Sequence, residues 1–273
     1  MGREYTVNSD AIKPVIDRGE TQIILERHCN YDREDGNLVD LSIENQKSLA
    51  RSFVDQLDGE SLDDDYFLFI ASDTRNSKGT NKRCVDTIKI AMSEVFEFLK
   101  AKGIVGERII NFDVSTNYNH EPKESVHLEE PRIFLDGTGY LEFLKDKNGG
   151  MGVPFWIDFE EDRYKEERLA LGAEGPDEIV LRGCHFIDVL KRYGVYFHEK
   201  KPNSRLFIWC CTHYDLISPL AKQTILDYEK EEMVRVNYCG GISFRTDQTG
   251  EMVAYINDEV RDFQGKKQPP RHL

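Results

Sequence analysis

Short apolar runs rich in β-branched and aromatic residues alternate along this chain with longer stretches in which apolar residues recur every three or four positions. That alternation restricts the fold more than any other feature. Thr21 to Glu26, Tyr66 to Ala71, Ile109 to Phe112 and Arg205 to Cys211 have the length and composition of buried strands. Between them lie helical patterns. Asp40 to Leu57 has Ser42 as its expected N-cap and sets Leu49, Phe53 and Leu57 on one side. The segment after Lys82 aligns Val85, Ile88, Met92, Val95, Phe96 and Leu99 and closes at Gly103. Further helices are expected near Ile179 to Tyr193 and from about Pro219 to Tyr228, and Gly241 to Arg245 with Met252 to Ile256 reads as a hairpin about Thr249 and Gly250.

Strands that feed helices which feed strands make βαβ units. The expected fold class is therefore α/β, a three-layer sandwich with a mostly parallel central sheet flanked by helices. The 273 residues suit one domain. Residues 1–20 read as a polar extension, and residues from about 115 to 178 as an inserted cap region. Within the cap, Tyr140 to Lys147 and Glu160 to Leu171 have helical character, while Phe155-Trp-Ile and Tyr140-Leu-Glu-Phe supply a small apolar core. The tail from Gly265 to Leu273 is polar and expected to fray.

Charge narrows the partners. A formal net charge of −14 repels nucleic acid and anionic membrane surfaces, so neither is expected as a partner. No run approaches the roughly 18 apolar residues of a membrane span, and the first twenty residues lack the apolar core of a secretory signal. A cytoplasmic protein is expected. Its six cysteines read as reduced thiols, with Cys210 and Cys211 adjacent in an apolar strand. There is no Cys-x-x-Cys pair, and neither a metal nor a cofactor is expected.

Arg27 and His28 follow the first strand directly, Arg83 opens the helix after the second, and Thr212 and His213 end the strand containing Trp209. In a parallel sheet all of them fall at one edge, where ligands bind in folds of this class. A lone histidine after a strand is usually a hydrogen-bonded structural residue; His120, His127, His185, His198 and His272 are read as surface or core residues, with substrate contact open for His120 or His127 in the insertion. Two imidazoles and two guanidiniums together are different, because like charges converge at a cost unless an anion sits among them. Phosphate fits, since guanidinium forks bind its oxygens and a neutral imidazole nitrogen can attack phosphorus.

Ile24-Leu-Glu-Arg-His-Cys resembles the Arg-His-Gly signature after the first strand of the histidine phosphatase, or phosphoglycerate mutase-like, superfamily. Asp40-Leu-Ser-Ile-Glu-Asn-Gln is similar to that family's Leu-Thr-x-x-Gly-x-x-Gln helix start, and Arg83-Cys-Val-Asp-Thr to its Arg-Ala-x-Gln-Thr. Leu206-Phe-Ile-Trp-Cys-Cys-Thr-His213 resembles its apolar strand ending in Ser-His-Gly, and Gly240-Gly-Ile-Ser its late Gly-Ser-Ile-Ser. These motifs cover the two ends of the chain in order and leave the middle unmatched.

The resemblance implies a metal-independent phosphatase acting on a small phosphomonoester. His28 would be the phosphoryl acceptor, with Arg27, Arg83 and His213 binding the phosphoryl oxygens and Asn30, Arg75, Thr212 and Asp215 touching substrate. It also implies a carboxyl general acid, for which Glu130 is favoured and Glu129, Asp113 and Asp215 are the alternatives. Two other activities stay open: a mutase-type phosphotransferase, or a catalytically weak phosphate-binding regulator. The departures are local. Cys29 stands at the family's glycine, Ser72-Asp73 at its Ser-Pro, and Tyr214-Asp215 where small residues are common. A long loop also makes Arg75 a competitor of Arg83, although Thr87, four residues after Arg83, matches the motif.

Overall fold

The computed structural model describes residues 4–32, 34, 37–57, 62–72, 83–104, 108–110, 138–226 and 233–265. Its central strand, β4 (Arg205–Thr212), is buried along its whole length. Leu206, Ile208 and Cys210 face one apolar cluster, and Phe207, Trp209 and Cys211 face the other. Apolar character on both sides of the pleat puts this strand in the middle of a covered sheet.

In chain order the remaining elements are β1 (Glu4–Val7), β2 (Thr21–Arg27), α1 (Asp40–Asp55), β3 (Asp65–Ala71), α2 (Arg83–Ala101), α3 (Tyr140–Asn148), α4 (Val153–Glu160), α5 (Lys165–Ala170) and α6 (Pro176–Lys200). After β4 come α7 (Tyr214–Thr224), β5 (Met233–Val236), β6 (Gly241–Thr246), β7 (Met252–Ile256) and β8 (Glu259–Asp262). The main sheet has the order β3-β4-β2-β6-β7-β8, and β1 pairs with β5 in a separate two-stranded sheet. Residues of α1 and α2 pack on one face of the main sheet and residues of α6 and α7 on the other. The chain is an α/β protein with a mixed sheet flanked by helices, compatible with the expected sandwich.

The sheet is not mostly parallel. β3, β4 and β2 run parallel, but β6, β7 and β8 add antiparallel neighbours. For β6–β7 and β7–β8 the reason is connection length: the turns around Asp247–Gly250 and Asn257–Asp258 are too short for the crossover a parallel pair needs. Residues 4–20 are also more than an extension. Glu4–Val7 is a strand, and Ile12 and Ile16 are buried in the cluster with α1 and α2. Ile109 forms only an isolated parallel bridge with Phe67.

Several boundaries shift. Ser42 is not the N-cap of α1, a position held by Val39, because its hydroxyl accepts the Asn30 N–H at 2.8 Å instead. Pro219 lies inside α7, where it cannot donate to the carbonyl of Asp215. The helix expected over Glu160 to Leu171 is two, α4 and α5, separated by Asp162 with φ 52°. The Asp162 carboxylate accepts from Arg168 at 2.6 and 2.9 Å, which holds that break.

Tyr140, Leu141, Leu144, Phe155 and Phe159 form a third apolar cluster that also takes in Ile179 of α6 and Leu216 of α7. The helices of the expected cap are thereby fastened to α6 and to α7, the helix that begins directly after His213. At the other end of the sheet, Asp65 and Arg205 make a buried bidentate ion pair at 2.8 and 2.7 Å, tying the start of β3 to the start of β4. Among the described residues no helix is long and apolar enough to cross a membrane.

Candidate active site

The parallel register of β2 and β4 aligns their ends, with Arg27 opposite Thr212. The residues that follow, His28 and His213, therefore emerge side by side. Their ring centroids are 4.8 Å apart with the planes at 75°, and both side chains are almost wholly buried. The backbone N–H of His28 donates to the Thr212 carbonyl at 3.0 Å, which extends the strand pairing by one residue and fixes the spacing.

The ring of His28 is oriented by its own chain. Nδ1 lies 2.6 Å from the Cys29 carbonyl oxygen. A carbonyl only accepts, so Nδ1 carries the proton and Nε2 keeps its lone pair. Burial, the neighbouring His213 and the Arg83 guanidinium push the imidazole well below its ordinary value of 6.5. His28 is thus a neutral imidazole at neutral pH, with Nε2 unprotonated.

Cys29 in turn is anchored. Its N–H donates to Thr87 Oγ1 at 3.0 Å, one turn into the helix that Arg83 opens. That bond gives Thr87 a physical role and couples the position of α2 to the loop carrying His28. Arg83 is buried and lies over the Tyr31 ring, 4.1 Å from its centroid. Arg27 is held between two other rings, 3.9 Å from Tyr238 and 5.4 Å from Tyr214, and donates to the Val236 carbonyl. Tyrosine faces attract guanidinium charge, so each ring helps to fix its arginine in place.

Gly240 and Gly241 permit this crowding. The Arg27 N–H donates to the Gly240 carbonyl at 2.8 Å, and a Cβ on Gly241 would meet the Leu25 carbonyl at 2.5 Å. Side chains at these positions would push the β5–β6 connection, and Tyr238 with it, off the end of β2.

His213 is the N-cap residue of α7. Cys84 Sγ lies 3.6 Å from its Nε2 and 3.8 Å from its Nδ1. Burial opposes charge on that thiol, but its contacts with Cys211 and His213 together hold it down to about 5. Asp215 is buried in the first turn of α7. Tyr214, beside it, donates to the Val234 carbonyl at 2.9 Å and to Glu160 at 3.3 Å. Its ring is 4.7 Å from Trp156, so the third apolar cluster reaches the edge of the site.

Of the residues expected in the pocket, Arg27, His28, Arg83, Thr212 and His213 converge, and Asp215 lies buried two residues after His213. Thr212 is fully buried and contributes its carbonyl to His28. Asn30 is exposed beside the pocket, with its side-chain oxygen accepting the Tyr31 N–H at 2.9 Å. Arg75, Asp113, Glu129 and Glu130 lie outside the described residues. Tyr31, Tyr214, Tyr238 and Cys84 were not anticipated as parts of the site. Only the closeness of Tyr214 and Cys84 in sequence to His213 and Arg83 hinted at them.

Among the described residues no group of three His, Cys, Asp or Glu side chains is placed to hold a metal ion. A cavity of about 620 Å³ opens elsewhere, between α6, the β6–β7 turn and Phe263–Gly265, and shares no lining residue with the histidine pair. No protein-family model matches the chain, and no curated protein matches it in sequence. The geometry of the pocket has to support a function by itself.

Proposed function

We propose that this protein is a phosphomonoester hydrolase that works through a phosphohistidine on His28. His28 Nε2 attacks phosphorus, the ester oxygen departs with a proton from a carboxyl group, and water then releases inorganic phosphate and restores the imidazole. Arg27, Arg83 and His213 face the phosphoryl oxygens and stabilise the charge that develops on them. Such donors gain most from being held in place before the reaction, as Arg27 and Arg83 are by their tyrosines. Glu130 is the proposed proton donor, with Asp215 its competitor among the described residues.

The observation that carries this reading is the T-shaped pair of buried imidazoles at 4.8 Å, flanked by Arg27 and Arg83. A protein with this net charge has no general reason to gather cations in one buried place, and an anionic ligand supplies one. Orientation of His28 by the Cys29 carbonyl supports a nucleophile over a merely binding imidazole, because it leaves Nε2 unprotonated.

The test is hydrolysis of para-nitrophenyl phosphate by the purified protein and by His28→Ala, in EDTA, from mildly acidic to neutral pH. Metal-independent turnover that disappears in the variant is expected, together with an acid-labile phosphate on His28 trapped by rapid quenching. Turnover that survives the substitution, or no turnover by the unaltered protein, would overturn the reading.

A further inference from the structure

The residue that orients His28 belongs to a pair of thiols. Cys29 Sγ and Cys239 Sγ are 3.2 Å apart, and both cysteines are free and buried. A disulfide bond is about 2.05 Å long, so closing one brings the sulfurs about 1.1 Å nearer. The chain on both sides of this contact belongs to the pocket. Cys29 follows His28 and accepts its Nδ1–H on the backbone carbonyl. Cys239 donates its backbone N–H to the Arg27 carbonyl at 3.0 Å and follows Tyr238, the platform under Arg27.

We infer that Cys29 and Cys239 form a site of oxidative modification by hydroperoxides, and that the disulfide they close switches off the His28 pocket. The Cys29 sulfur attacks one oxygen of hydrogen peroxide, the O–O bond breaks, and water leaves behind a sulfenic acid. The Cys239 sulfur then attacks that sulfur, the S–O bond breaks, and a second water leaves. Two thiols lose two electrons and two protons, and one peroxide becomes two waters.

The order of the steps follows from the surroundings. Cys239, then Thr87 and Ser42, hold the Cys29 thiol below its ordinary value against the effect of burial, whereas contact with Cys29 raises that of Cys239. That difference favours Cys29 as the attacking sulfur and Cys239 as the resolving one, and the 3.2 Å contact lets the disulfide close in either order. As the bond closes, Cys29 is drawn away from its contacts with the Ser42 carbonyl at 3.4 Å and Gln46 at 3.9 Å. Its backbone carbonyl turns with it, and His28 loses the partner that holds its ring. A misplacement of about 1 Å near the chemistry costs on the order of 10²-fold in rate.

Trypsin isolates the two cysteines in separate peptides, residues 28–33 and 236–245. The full-length reduced protein is treated with graded hydrogen peroxide, alkylated, digested without reductant and mapped by mass spectrometry. The expected product is the 28–33 peptide linked to the 236–245 peptide, reversed by dithiothreitol and absent from Cys239→Ala. Both peptides recovered separately alkylated, or Cys29 linked instead to Cys84 or Cys211, would overturn the site.

The link is read by mass and needs no turnover, so it stands or falls apart from the phosphatase reading. Only the effect on activity rests on that reading. Para-nitrophenyl phosphate turnover should fall about 10²-fold in step with the linked peptide, while Cys239→Ala keeps its own starting rate under peroxide. The imidazole resonance of His28 should also shift as the link forms. A linked protein with that resonance unmoved would overturn the switch.

Discussion

His28 stands 4.8 Å from His213 because the strands before them are in parallel register, Arg27 opposite Thr212. The pairing sets the distance, and the two rings are not free to avoid one another. Protonating His28 in this buried place would set a cation beside Arg27 and Arg83 with little water to screen it. The pocket therefore disfavours the charged form of His28, and an anion entering it meets cationic donors already in position.

A titration follows from that environment. The His28 imidazole should stay neutral as the pH falls through 6.5 and protonate only well below it, and NMR of isotope-labelled histidine can follow this, with His28→Gln identifying the signal. Arg83→Gln removes a cation that opposes protonation, so it should move the His28 midpoint upward. A downward shift, or a midpoint near 6.5 in the unaltered protein, would show that the ring is neither buried nor crowded by charge as described.

Much of this arrangement is legible before any coordinates. Leu206 to Cys211 is apolar at every position, so a central strand is the only economical place for it. Once β2 and β4 are parallel, Arg27, His28 and His213 must meet at one edge. What stays hidden depends on partners distant in sequence. Nothing local to Glu4–Val7 announces its pairing with Met233–Val236, and a Ser42 hydroxyl that caps its own helix looks the same as one that reaches Asn30. Tyr31 and Tyr238 lie in loops whose approach to Arg83 and Arg27 exists only after the sheet is assembled. The β6–β7 hairpin is legible from its turn, but the antiparallel pairing of β6 with β2 joins segments more than 200 residues apart and has no local signal.

The pair Asp65–Arg205 should matter to stability far more than the ion pairs on the surface. Both side chains are buried, and the carboxylate accepts two parallel N–H bonds. Asp65→Asn removes the carboxylate charge that faces the buried Arg205 guanidinium, and breaking a buried pair from one side costs about 3–5 kcal/mol in comparable cases. Glu94→Gln breaks the more exposed pair with Arg51 and should cost less than about 1 kcal/mol. Urea denaturation measures both, and equal effects would contradict the burial assigned to Asp65.

Glu26 gives stability a distinctive pH dependence. Its carboxyl is fully buried, accepts from Trp209 Nε1 at 2.6 Å and Gln46 Nε2 at 3.1 Å, and is raised well above its ordinary value of 4.5, chiefly by burial. Below pH 4.5 both folded and unfolded chains carry the proton. Above it the unfolded chain releases the proton first, so folding stability declines with rising pH by up to about 1.4 kcal/mol per unit until the folded group titrates. Glu26→Gln cannot release a proton and should lose this slope. Guanidinium midpoints at several pH values compare the two proteins, and parallel profiles would mean that Glu26 is not held protonated.

The leaving group identifies the proton donor. Para-nitrophenolate departs readily without a proton, whereas the alkoxide from glycerol phosphate needs one, so losing the general acid should slow the second substrate selectively, by about 10²–10⁴-fold. Glu130→Gln is expected to show this pattern: near-normal turnover of the aryl ester, severe loss with the alkyl ester and the same phosphohistidine on His28. Asp215→Asn should slow both substrates to a similar degree, because Asp215 is buried in the first turn of the helix that begins after His213 and its loss would disturb that ring for either ester. Steady-state kcat/KM for both esters in both variants decides between them. If the selective loss appears in Asp215→Asn and not in Glu130→Gln, the proton comes from beside the second histidine.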